Sequence, residues 1–72
     1  MSEYVVIYEQ GPMSWGAWVP DLAGCVAAGE TRAEAEQLIR EAIEAHIENL
    51  REHGEPVPPP SSSVGAVQVQ AA

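Results

Sequence analysis

Apolar residues at Ala35, Leu38, Ile39, Ala42, Ile43, Ile47 and Leu50 recur at helical spacing on a single stripe, with Glu36, Arg40, Glu41, Glu44, Glu48 and Arg51 away from it. In a chain of 72 residues that leaves room for one long helix and little else of its kind. The helix has a start signal: Thr31 stands three residues before Glu34, so the hydroxyl can accept the Glu34 backbone N–H while that carboxylate reaches back to the Thr31 N–H. It also has a stop near His53, where Gly54 supplies a left-handed cap and Pro56 cannot continue the hydrogen-bond ladder. Glu36 and Arg40 are placed for an i,i+4 ion pair. At 1.5 Å per residue the rod is about 33 Å long.

Everything before the helix reads as strand. Tyr4-Val5-Val6-Ile7-Tyr8-Glu9 is β-branched and aromatic and stops at Gly11-Pro12; Trp15-Gly16-Ala17-Trp18-Val19 resumes that chemistry until Pro20-Asp21. The short connection implies an antiparallel hairpin, and a second bend through Leu22-Ala23-Gly24 leads to a third strand, Cys25 to Ala28, closed by Gly29. Gly24 and Gly29 are expected to supply positive φ at the bends, and Asp21 to cap or brace the first of them. The fold class is therefore α+β, a three-stranded antiparallel meander followed by one long helix packed on one face. Residues 1–57 form the domain and the Pro/Ser-rich residues 58–63 a solvated tether. Residues 64–72 are a tail whose Val67-Gln68-Val69-Gln70 alternation could return as a fourth strand.

A lone helix covers one face of a sheet, and the other face is then normally polar. Here it is not. Alternation puts Tyr4, Val6 and Tyr8 on one side of the first strand and Val5 and Ile7 on the other, and an odd separation sends Trp15 and Trp18 to opposite faces. At least one Trp should lie off the helix-packed core, and exposed aromatic surface marks an interface unless the tail or the helix tip folds over it. Trp15 and Trp18 are the candidate apolar anchors for a partner and Glu9 and Asp21 the candidate charge anchors, although a regular strand cannot present both Trp on one face.

The charge balance narrows the partner. Eleven Asp and Glu stand against three Arg, with no Lys, for a net charge of −8. Such a surface repels phosphate backbones, disfavouring direct nucleic-acid binding, and steers association with basic proteins; it also aids solubility. So short a chain has a marginal core, and with one cysteine it can make no internal disulfide, so self-association as a homodimer or homotetramer is expected. No apolar run approaches membrane-spanning length, and Met1-Ser2-Glu3 lacks a basic leader, which fits a cytoplasmic setting.

Little in the chain suggests catalysis. Cys25 is the only candidate nucleophile and would need His46 or His53 as its base, whereas a packed Cys and a helix-end His are the commoner arrangement. Neither His has an acidic, Cys or His neighbour at i±3 or i±4, so the usual helical metal pairs are missing, and no cofactor is expected. The chain reads as a binding module, not an enzyme.

The run Trp15-Gly16-Ala17-Trp18-Val19-Pro20-Asp21-Leu22-Ala23-Gly24-Cys25 resembles the signature of the HicB-type antitoxins. The likeness continues through Ala28-Gly29-Glu30-Thr31, the Ala33-Glu34-Ala35 helix start and Glu55-Pro56-Val57-Pro58, covering roughly residues 3 to 60; Ala23 stands where Pro is common. The resemblance implies a partial ribonuclease-H-like β-β-β-α-β domain without nuclease chemistry, which binds and masks a small basic mRNA-cleaving toxin of the HicA type. Many such proteins carry a further C-terminal DNA-binding domain, for which these 72 residues have no room, so operator binding is not expected. The alternative is an orphan homo-oligomeric HicB-like module without a toxin.

Overall fold

The computed structural model describes residues 2–71, in the order β1 (Ile7–Gln10), β2 (Trp15–Trp18), β3 (Val26–Gly29) and α1 (Arg32–Glu52). Met1 and Ala72, assigned from sequence to the domain and the tail, lie outside the described residues. The sheet is the expected antiparallel meander in the order β1-β2-β3, with α1 on one face. Each strand is shorter or later than its apolar run suggests. Gly11 N–H donates to the Ser14 carbonyl at 2.7 Å and closes the first turn. The bend from Val19 to Cys25 is tied by Val19 N–H to the Cys25 carbonyl and by Leu22 N–H to the Val19 carbonyl, each 3.2 Å, so these residues leave the ladder although both ends of the bend are buried.

Alternation sorts the side chains as the Trp spacing requires. On the helix side Tyr8, Ala17 and Ala27 lie abreast, as do Gln10, Trp15 and Gly29. Ala17, Val19, Leu22, Cys25, Ala35 and Ile39 form the buried core, with Tyr4, Val6, Tyr8, Trp15, Ala27, Ala42 and Ile43 packed against it.

The helix ends depart from the sequence reading in one detail. Thr31 Oγ1 accepts the Glu34 N–H at 3.1 Å as expected, but the Glu34 carboxylate accepts from Glu30 N–H at 3.0 Å, one residue earlier than the capping-box pattern. At the other end Gly54 has φ +66°, its N–H donates to the Arg51 carbonyl, and Glu55 N–H donates to the Leu50 carbonyl at 2.9 Å, a Schellman motif. Glu36 pairs with Arg32 at 3.4 Å, between two exposed side chains, in place of the expected Arg40. Such an exposed pair contributes little, about 0.3–0.5 kcal/mol.

Gly24 has the expected positive φ, +78°, but Gly29 does not. Its requirement is space: a Cβ there would sit 2.8 Å from the Ala35 backbone nitrogen and 3.0 Å from the Glu34 Cβ. The first turn of α1 therefore rests directly on the end of β3. Gly29→Ala is expected to destabilise the protein by about 1–3 kcal/mol, since a backbone atom must move; an unchanged urea midpoint would refute the close approach.

Two features of scale matter for function. At 21 residues α1 spans about 32 Å, whereas four-residue strands span about 13 Å, so the second half of the helix overhangs the sheet. There Ile43, Ile47 and Leu50 are only half buried. The helix also leans toward β3 and β2 and barely reaches β1. Residues 55–71 carry no helix or strand, so the alternation at 67–70 does not make a fourth strand in this structure.

Candidate interaction surface

The face of the sheet away from α1 is built by register. Ile7, Trp18 and Val26 lie abreast across the three strands, and beside them run Glu9, Gly16 and Ala28. Trp18 is 41% exposed and Val26 65%, so the first row is an apolar bar open to solvent. Trp18 Nε1 donates to Glu9 Oε1 at 2.8 Å, which holds the indole against the sheet and places a carboxylate at its edge. An aromatic face with an adjacent anion is chemically suited to an Arg or Lys of a partner: the cation can lie over the ring while its polar end meets the carboxylate.

The sequence-derived contact residues thus separate. Glu9 and Trp18 come together on the outer face. Trp15 faces the other way, half buried against the core and opposite Gly29. Asp21 belongs to a third place: Ser61 N–H and Ser62 N–H both donate to its Oδ2 at 2.9 Å, while the Ser61 and Ser62 hydroxyls donate to Oδ1 at 3.1 and 2.7 Å. Sequence reasoning missed this clip, and with it the role of the serines, because the partners are 40 residues apart and Pro-Ser runs look like solvated linker. Tyr4 adds a second tie, its hydroxyl donating to the Pro58 carbonyl. The segment read as a tether is fastened to the domain at both places.

Hydrogen bonds from the Ser62 backbone and hydroxyl, and then from the Ser61 backbone, hold the Asp21 carboxyl at about 2, below its ordinary 3.8. A lowered carboxyl pKa means the docked tail is favoured fully above pH 3.8 and loses that support as pH falls through 2. The Ser61 and Ser62 amide resonances should therefore titrate near pH 2; a midpoint near 3.8 would mean that the clip is open in solution.

Cys25 and His46 line one shallow groove of about 360 Å3 beside Val26, Ala42 and Leu50. Burial raises the Cys25 thiol pKa, opposite to what an activated thiolate requires. His53 Nδ1 donates to the Asn49 carbonyl at 2.8 Å and finishes the helix. Among the described residues no group of three His, Cys, Asp or Glu side chains is gathered as for a metal ion. No described helix is long and apolar enough to cross a membrane.

Comparison with known proteins places this geometry. The chain is 50% identical over 40 residues to a UPF0150 protein of Thermoplasma acidophilum, covering 56% of this chain and 58% of that protein. It is 50% identical over 42 residues to a UPF0150 protein of Synechocystis, covering 58% and 53% respectively. A 14.9 kDa protein from the rep-hol intergenic region of Haemophilus phage HP1 is 48% identical over 40 residues, which are 56% of this chain and 30% of the phage protein. The matches thus span from under a third to under three fifths of those relatives' length. The family model described as HicB-like antitoxin of bacterial toxin-antitoxin system matches residues 4–71, nearly the whole chain and the tail with it. The chain belongs to the HicB-like antitoxin family.

Proposed function

We propose that the protein is the antitoxin of a type II toxin–antitoxin pair and neutralises a small, basic, mRNA-cleaving toxin of the HicA type by covering its active surface. The reading includes a partial ribonuclease-H-like fold used as a binding platform, without catalysis of its own, acting in the cytoplasm and making no direct contact with nucleic acid. The observation that carries it is the uncovered Ile7–Trp18–Val26 bar with Glu9 at its edge, on a protein of net charge −8. Charge brings a basic partner to the surface, and desolvation of the Trp18 indole holds it there. Of the four residues singled out from sequence, Glu9 and Trp18 are the direct contacts in this proposal, while Trp15 and Asp21 support the fold behind them.

The test is co-expression with the adjacent reading frame, with growth and pull-down as readouts. The neighbour should encode a short basic protein that arrests growth alone and is harmless and co-purifying when this chain is present. A harmless neighbour, or a toxic one that the chain neither binds nor relieves, overturns the reading. The second reading, an orphan homo-oligomeric module, is favoured by the same open face, which a copy of the chain could also cover; it is distinguished by a stable oligomer with no effect on any neighbouring product.

A further inference from the structure

We infer that residues 64–70 are an exchange strand, which leaves its own domain at the Asp21 clip and pairs with the β1 edge of a second copy of this chain. The inference stands independently of the toxin reading.

The segment has the makings of a strand and lacks only a ladder. Val64, Val67 and Val69 are 68%, 86% and 75% exposed, and Val67 and Val69 share one side with Gln68 and Gln70 on the other. Its backbone can pair throughout, whereas Pro56 and Pro58 to Pro60 just upstream cannot donate, so pairing is confined to the stretch beyond the clip. The family match runs to residue 71, so this stretch is part of the matched domain.

The sheet offers a place for it. β1 and β3 are the two edges, and since α1 leans over β3, the helix side of β1 is left half covered. A cleft of about 660 Å3 opens there, lined in its apolar part by Tyr4, Val6, Tyr8, Ile39 and Ile43. A strand added beside β1 would place its valines into this cleft and its glutamines toward the outer face.

The occupant comes from another molecule because of how the chain is fastened. Between Pro58, held by Tyr4, and Ser61 and Ser62, held by Asp21, the backbone crosses from the β1 side to the β2–β3 bend, away from its own β1 edge. Past the clip, about 30 Å of extended chain projects from that bend. Charge favours the same solution: from Pro56 to Ala72 no side chain is charged, so a neutral strand can reach an acidic neighbour while two bodies of net charge −8 stay apart.

The test is light scattering after size exclusion on the full chain, a chain ending at Ser63, and the double variant Val67→Glu, Val69→Glu. The full chain should run as a dimer of the 7.7 kDa protomer, and both variants as monomers with unchanged helix content. Isotope-filtered NMR on a mixed-label dimer should show the Val67 and Val69 methyls against Tyr8 and Val6 of the other copy. A monomeric full chain, a dimer that survives in either variant, or the same methyl contacts within a single molecule would each overturn the proposal.

Discussion

Substituting Ile39 with alanine is expected to lower the free energy of unfolding by about 3 kcal/mol, within the roughly 2–5 kcal/mol that buried Ile-to-Ala changes cost. Ile39 is one of the two largest fully buried side chains, the other being Leu22, and it stands where α1 crosses the sheet. At roughly 0.05–0.15 kcal/mol per residue, a protein this small has little stability to lose. Urea unfolding should show a sharply lower midpoint with an unchanged slope. A loss below 1 kcal/mol would mean that the cavity collapses, or that the core is held elsewhere.

Trp18→Ala should leave stability within about 0.5 kcal/mol, because the side chain is largely off the core, yet weaken binding of the basic partner by about 30-fold to 1,000-fold. That corresponds to the 2–4 kcal/mol typical of a Trp hot spot. Calorimetric titration of the purified pair reads the effect directly. Trp18→Phe separates two contributions, keeping apolar area while removing the N–H that donates to Glu9. If Phe restores most of the affinity, apolar contact dominates; if it behaves as Ala, the fixed indole and its carboxylate matter more. Unaltered affinity in the Ala variant would remove the outer face from the proposal.

What was legible in the sequence is what depends on near neighbours. The stripe from Ala35 to Leu50, the Thr31 cap and the Gly54 stop are all local, and α1 follows them to within a residue or two. The opposite directions of Trp15 and Trp18 follow from parity alone. What was hidden depends on distant parts meeting. Gly29 resembles a turn glycine until α1 is laid on it at 2.8 Å. Asp21 resembles a turn cap until Ser61 and Ser62 arrive from 40 residues away. The alternation at Val67 to Gln70 states a capacity for pairing, but no pattern within one chain can name the strand it pairs with.

The lean of the helix also orders the way the protein comes apart. β3 and α1 are joined by only Glu30 and Thr31 and packed tightly enough to exclude a methyl group, so they form the most local and best-supported unit. β1, at the far edge and scarcely touched by the helix, has the weakest hold, and its amides should exchange first. Any ligand that grips β1 therefore secures the part most ready to let go, so occupancy would be felt as resistance to unfolding throughout the molecule.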